Sequence, residues 1–292
     1  MKKLFVLVVI MSLFMGFACD DEEENGNNTG TGTSTGTGTG TGTGGSAIII
    51  DHNCTDITKI PANIINTIKT TLKHHYAHTS HGGQLTVGLE RLEQQNATYD
   101  IEIGYSYLPD NPAAYCIFDG QEDETYISPD LYWETKEGMD RTRNVLRNNP
   151  AIKASMWCWC CQLDSYNQEQ VQAYLDSMSS LEREFPNVKF VYMTGNAQAQ
   201  GDEGYNRYQR NNQIRDYCNR NGKILYDFED LDCWWYNPSS KSWEHSTYDH
   251  SSQAVPYQHT HFDGDENAHT TNESCEQKGK ATWWLAAKLV GW

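Results

Sequence analysis

Lys73-His74-His75-Tyr76-Ala77-His78-Thr79-Ser80-His81-Gly82-Gly83-Gln84-Leu85 reads as a strand that enters a tight glycine-rich turn and leaves as an amphipathic helix. Leu85, Leu89 and Leu92 carry the helical spacing onward. A strand-to-helix turn of this kind presents a hydroxyl, here that of Ser80, at the carboxyl edge of a sheet, beside the free N–H groups that open a helix. Those N–H groups suit an oxyanion. His74, His75, His78 and His81 all lie within seven residues of the serine.

The same alternation extends in both directions. Ile57, Ile60, Ile64, Ile65, Ile68 and Leu72 mark one face of a preceding helix, and Tyr99 to Tyr107 alternates as a second strand. Ala154 to Cys160 is an apolar run of strand length. It is followed by a capping-box pattern, Ser165-x-x-Gln168, opening a helix with Val171, Tyr174, Leu175, Met178 and Leu181. Val188 to Met193 and Lys223 to Phe228 read as the last two strands, around a polar helix over 205–220 stopped by Asn221-Gly222. Ala281 to Leu289 closes the chain as a helix. Repeated strand–helix units with unbroken apolar strands predict an α/β fold, a three-layer α/β/α sandwich around a parallel sheet of about five strands. Ligands of such sheets bind beyond the carboxyl ends of the strands. The positions to watch are therefore Thr79-Ser80-His81-Gly82, Cys161-Gln162 and Thr194-Gly195-Asn196. Segments 108–137 and 232–262 lack periodicity and read as long loops.

Outside this domain, residues 1–18 have two lysines and an apolar run from Leu4 to Phe17, an export signal. Gly16-Phe17-Ala18-Cys19 looks like a bacterial lipoprotein cleavage site, with Cys19 the lipidated residue. Asp20 to Glu24 resembles the acidic tag of surface-exposed Bacteroidetes lipoproteins. Residues 19–46 form an acidic, then Gly/Thr-rich, tether with nothing to bury. The expected location is the outer face of an outer membrane. The remaining 47–292, about 245 residues, suits one domain. The formal charge is −17 and no Lys/Arg cluster occurs in that part, which argues against nucleic acid as a partner. A monomer is expected. Cys54, Cys116, Cys158, Cys160, Cys161, Cys218, Cys233 and Cys275 are even in number, which in an oxidising compartment predicts up to four disulfides or buried thiols.

In element order the domain resembles the SGNH/GDSL hydrolase superfamily, in a divergent form. That resemblance implies a flavodoxin-like sandwich and hydrolysis of esters, including acetyl groups on sugars. Ser80 stands where the family nucleophile would, with His-Thr-Ser-His-Gly in place of Gly-Asp-Ser. Thr194-Gly195-Asn196 stands near the family's Gly-x-Asn-Asp, which makes Asn196 an oxyanion donor. Cys161-Gln162 occupies the place of the family glycine, so Gln162 is a second candidate. Glu266-Asn267-Ala268-His269 offers His269 as base with Glu266 three residues earlier, and Asp265 offers the family's own carboxylate chemistry.

A serine hydroxyl is a poor nucleophile at neutral pH and needs an imidazole base that a third group orients. The expectation is a serine-dependent ester hydrolase: Ser80 attacks and His269 takes its proton. Glu266 or Asp265 orients the ring, and the Ser80 and Gly82 N–H groups with Asn196 hold the oxyanion. The substrate would be a glycan or other small ester, with no cofactor and no metal. His78, His81, His259 and His261 are rival bases. Two alternatives stay open. One is a glycan-binding protein of the same fold using Trp234, Trp235, Tyr236 and Trp243 as a stacking wall. The other is a metal hydrolase that draws its ligands from His74, His75, His78, His81, His259 and His261.

Overall fold

Short apolar runs become strands, and the amphipathic runs between them become the helices that cover both faces. The structure, a computed structural model, describes residues 46–292, so the export signal, Cys19 and nearly all of the tether lie outside the described residues. The strands of the main sheet are β1 (Ile48–Ile50), β2 (Lys73–His78), β3 (Ile101–Tyr105), β4 (Tyr115–Asp119), β5 (Ala154–Cys158), β6 (Lys189–Met193) and β7 (Ile224–Tyr226). They pair in the order β1-β7-β6-β5-β2-β4-β3, all parallel. The expected α/β class and three-layer sandwich are what the chain adopts, with seven strands in place of about five.

The two extra strands have a physical explanation. β1 is only three residues long, and β4 lies inside the segment read as a loop. Tyr115-Cys116-Ile117-Phe118-Asp119 is buried at every position between β2 and β3, so it shows none of the alternation that betrays a half-exposed strand. The segment 232–262 is likewise built rather than irregular. Two antiparallel hairpins fill it, β8 (Trp234–Asn237) with β9 (Ser242–His245) and β10 (Thr247–His250) with β11 (Gln253–Pro256).

Helices α1 (Ala62–Thr71), α2 (Gly83–Gln95) and α9 (Asn272–Leu289) form one layer. Across it, Arg91 of α2 donates to Glu276 of α9 at 2.9 Å. The other layer holds α4 (Lys136–Asn148), α6 (Gln168–Glu184) and α7 (Gly201–Asn221), with Arg143 of α4 on Glu184 of α6 at 2.6 Å. Right-handed crossovers require this division, because β1→β2→β3 advance one way along the sheet and β4→β5→β6→β7 the other. The short helices α3 (Pro129–Tyr132), α5 (Gln162–Ser165) and α8 (Phe228–Cys233) sit beyond strand ends. α6 starts two residues later than the sequence pattern implied. Asn167 and Gln170, not Ser165 and Gln168, make the capping box. α7 stops at Gly222 (φ +60°), as the Asn-Gly pair predicted.

Most of the aromatic content is core. Trp133, Trp157, Trp159 and Tyr174 are fully buried and pack edge to face around β5. The expected disulfides are absent among the described residues: no S–S bond joins any of the eight cysteines. Six of them are buried, five on separate elements and Cys160 in the loop after β5, and even the adjacent Cys160 and Cys161 hold their sulfurs 3.8 Å apart, well beyond the ~2.05 Å of a disulfide.

Candidate active site

β2 and β5 are sheet neighbours whose following connections leave toward opposite layers, α2 to one and α6 to the other. Such a switch point opens a crevice at the carboxyl ends of the two strands. The chain places Thr79-Ser80-His81-Gly82 after β2 and Trp159-Cys160-Cys161-Gln162 after β5 at that crevice.

The β2 side is rigid. Ser80–Gly82 form a 3-10 turn leading directly into α2. A Cβ on Gly82 would come within 2.2 Å of His78 Cβ, so only glycine lets the turn close onto the strand. Tyr76 Oη donates to Gly82 O at 2.8 Å, and Gly82 N–H is taken by Thr79 O at 3.1 Å. His78 donates from Nδ1 to Thr79 O at 2.7 Å, and its Nε2 faces the Asp119 carboxylate, hydrogen-bonded to Oδ2 at 3.3 Å. A carbonyl on one nitrogen and a carboxylate on the other favour the doubly protonated ring. Burial opposes its charge, but the hydrogen bond and charge of Asp119 outweigh burial and raise its pKa.

The β6 side is also nailed down. Thr194 Oγ1 donates to Asp227 Oδ1 at 2.9 Å, Gly195 N to Asn211 Oδ1 at 2.8 Å, and Ala197 N to Asp232 Oδ2 at 2.9 Å. Held in this way, Asn196 Nδ2 donates to Cys160 O at 2.8 Å while its Oδ1 accepts from Gln198 N at 2.9 Å. Gln162 Oε1 accepts from Cys160 N at 2.8 Å. Both backbone polar groups of Cys160 are thus gripped by side chains.

A continuous polar chain links the ends of the two strands. Ser80 Oγ lies 3.3 Å from Cys160 Sγ, and Cys160 Sγ lies 3.0 Å from His81 Nδ1. His81 Nε2 lies 2.8 Å from Gln198 Oε1, and Gln198 Nε2 donates to His269 O at 2.6 Å. Because the Gln198 amide nitrogen is spent on a carbonyl, its oxygen faces His81, and His81 Nε2 must carry a proton. The Cys160 thiol is held far below the usual thiol range, first by the hydrogen bond from Cys161. That bond, the hydrogen bond and charge of His81, and the Ser80 hydroxyl together outweigh burial. His81 is shifted the other way: burial opposes its charge, but Cys160 and Gln198 outweigh it. The two shifts act together: each favours the charged form, a thiolate beside an imidazolium, and the Gln198 amide orients the far nitrogen of His81.

The residues expected from sequence fall around this chain. Ser80, Gly82, Gln162 and Asn196 come to it, but the two expected oxyanion donors are already taken, Gly82 N–H by Thr79 O at 3.1 Å and Asn196 Nδ2 by Cys160 O at 2.8 Å. His269 comes to its rim, its ring 4.9 Å from that of His81 and its side chain 51% exposed. No hydrogen bond joins His269 to Ser80 among the described residues. His269 follows Ala268, both in the left-handed region (φ +67° and +48°), and Gln84 Nε2 holds the turn through Ala268 O at 2.7 Å. Asp265 Oδ1 is 4.0 Å from His269 Nδ1, both well exposed. Glu266 turns away and accepts from Asn272 N at the head of α9, 2.6 Å.

The other histidines do not gather. His74 and His75 are buried within the sheet, His78 is on Asp119, and His259 and His261 stack on Trp235 at 5.4 and 3.6 Å. Strand alternation divides the proposed aromatic wall. Trp234, Tyr236 and Trp243 share one face of the β8–β9 hairpin and Trp235 faces the other way, with Trp234 stacked between His52 and His245 at 4.5 and 4.3 Å.

Cys160 and Gln198 were missing from the sequence-based site. Cys160 ends an apolar run that looks like uninterrupted strand, although β5 stops at Cys158. Its one signal was position, just after a strand at the crevice. Gln198 carried none beyond lying two residues past Asn196. No protein-family profile and no curated protein matches the chain.

Proposed function

We propose that this protein hydrolyses acyl esters through a covalent intermediate on Cys160. The observation that carries the reading is the contact chain Ser80–Cys160–His81–Gln198 at the switch point of the sheet. The Cys160 thiolate attacks the acyl carbon, and His81 gives its Nδ1 proton to the departing alkoxide, leaving a thioester and a free alcohol. Neutral His81 then takes a proton from water as that water attacks the thioester, which releases the acid and regenerates the thiolate and imidazolium. Gln198 keeps the imidazole in the required tautomer, and Ser80 donates to the thiolate. The N–H groups at the head of the Ser80 turn and the Gln162 amide nitrogen, which has no partner among the described residues, suit the developing oxyanion. The nearby alkoxide of a bare serine is out of reach at neutral pH, whereas a paired thiolate is ready to react. An acetylated or otherwise acylated glycan is the substrate we favour, met at a cell surface where lipid on Cys19 anchors a monomeric domain.

A second reading keeps Ser80 as nucleophile with His269 as base. It is favoured by His269 standing half exposed at the rim against His81, while Cys160 is only 5% exposed. Two covalent probes separate the readings. Iodoacetamide should label Cys160 and abolish turnover of a chromogenic acetate, with Cys160→Ala blocking the label. Labelling by a fluorophosphonate that disappears in Ser80→Ala, with activity surviving in Cys160→Ala, would establish the serine reading instead. No turnover of any ester by the wild type, with neither probe reacting, would leave a non-catalytic glycan binder.

A further inference from the structure

Cys160 belongs to an adjacent pair, and the proposed reaction uses only one of the two sulfurs as a nucleophile. Cys161 Sγ stands 3.8 Å from Cys160 Sγ, and His81 Nδ1 stands 3.0 Å from Cys160 Sγ. The three donor atoms all lie within 4.8 Å of one another, with no carboxylate among them. One imidazole nitrogen and two thiolates form a donor set for a borderline-soft divalent cation, zinc above all, and not for magnesium or calcium.

The spacing can be tested against a real coordination sphere. A tetrahedral zinc with Zn–S of about 2.3 Å holds two sulfurs roughly 3.8 Å apart, and the pair is already at 3.8 Å. Nitrogen and sulfur on the same ion stand roughly 3.5 Å apart, so the His81 ring has to withdraw from Cys160 by about half an ångström and settle at a like distance from Cys161 Sγ, which lies within 4.8 Å of it. Its far nitrogen already donates to Gln198 Oε1 at 2.8 Å, the outer hydrogen bond that fixes the tautomer of a metal-bound histidine. Asn196 and Gln162 hold the Cys160 backbone from both sides, so the sulfurs are presented from a fixed chain. Ser80 Oγ, 3.3 Å from Cys160 Sγ, is the neutral oxygen at hand beside the three donors.

We propose that His81 Nδ1, Cys160 Sγ and Cys161 Sγ form a zinc site beside Ser80. Binding displaces the protons those donors carry, so affinity falls in acid. Where the hydrolase reading holds, an occupied site withdraws the nucleophile, and zinc is then an inhibitor. The site itself does not depend on that reading.

The test is a titration of the full chain, reduced and stripped with a chelator, with cobalt(II) as the spectroscopic probe. One equivalent should bind with a thiolate-to-cobalt charge-transfer band, and zinc should remove the band by displacement. His81→Ala and Cys161→Ala should each weaken binding by at least about 10–100-fold. His269→Ala, outside the donor set, should keep the band. Cobalt binding without the band, or Cys161→Ala titrating like the parent, overturns the site. The hydrolase assay is read separately: zinc should abolish turnover and a chelator restore it. A band with no turnover in any preparation keeps the metal site and removes the hydrolase.

Discussion

Cys160 makes a hydrogen-bonded contact through every polar group it has: its N–H with Gln162, its carbonyl with Asn196, its sulfur with Ser80, His81 and Cys161. Three partners around one sulfur favour its anion. Cys160→Ala should lower kcat/KM by about a thousandfold or more, the usual cost of losing an activated nucleophile. Ser80→Ala removes a single hydrogen bond to that anion, on the order of 1.5–3 kcal/mol and therefore roughly 10–100-fold. A steady-state assay on a chromogenic acetate checks both, and the reverse ranking would favour the serine mechanism. At this scale the sequence showed which residues would meet at the sheet edge but not the contacts they would make there. Strand-to-helix punctuation placed Ser80, and the strand-end rule brought Gln162 and Asn196 to the same edge. Nothing in the spacing of Cys160, His81 and Gln198, on three separate segments, showed that they would touch.

The elements that carry the site are locked together at one crossing. α2 begins at the Ser80 turn, α9 begins just after His269, and the two helices pass in backbone contact at Gly88 and Gly279. A Cβ on Gly88 would lie 1.8 Å from Cys275 O, and one on Gly279 would lie 2.5 Å from Gly88 C. Backbone cannot swing aside as a side chain can. Gly88→Ala should therefore cost about 1–3 kcal/mol or more, a fall in Tm of roughly 3–10 °C for a domain of this size. Thermal unfolding by circular dichroism measures it, and an unchanged Tm would mean the helices are not in contact there. The α2 helix was legible from its leucine spacing. The glycine crossing was not, because a glycine in a helical run looks like a weakness until its neighbour is known. β4 was hidden for a related reason: a strand buried on both faces has no alternation to show.

In the middle of the sheet, burial favours the neutral form of two adjacent histidines, His74 and His75. His74 lies 2.5 Å from Tyr115 Oη, and His75 accepts from Ser155 Oγ at 2.8 Å and donates to Gly120 O at 3.0 Å. Burial depresses their pKa values to about 3 for His74, with repulsion from His75 adding, and to about 4 for His75. The unfolded chain, with histidines near pKa ~6.5, binds protons that the folded state refuses. This contribution to stability is therefore complete above pH ~6.5. It falls as the pH drops below that value, by up to about 1.4 kcal/mol per pH unit for each ring. His78, raised by Asp119, acts in the opposite sense, and what it contributes is lost as the pH rises through its folded pKa. Urea unfolding at pH 6 and pH 5 should show a shallower pH dependence in His74→Gln than in the wild type, by up to about 1.4 kcal/mol. Equal slopes would mean that His74 is charged in the fold. The three-layer class was readable from alternating runs alone, because parallel sheets must be covered on both faces. The switch point was not, because it depends on strand order, which only the assembled sheet reveals.

If acyl transfer passes through Cys160, the mass of the trapped intermediate shows it. The full chain is quenched in acid during turnover of a slow activated ester, digested, and its peptides weighed. The account predicts the acyl increment on the peptide containing Cys160, cleaved by neutral hydroxylamine as a thioester is. An increment on the peptide containing Ser80, with Cys160 unmodified, would contradict it.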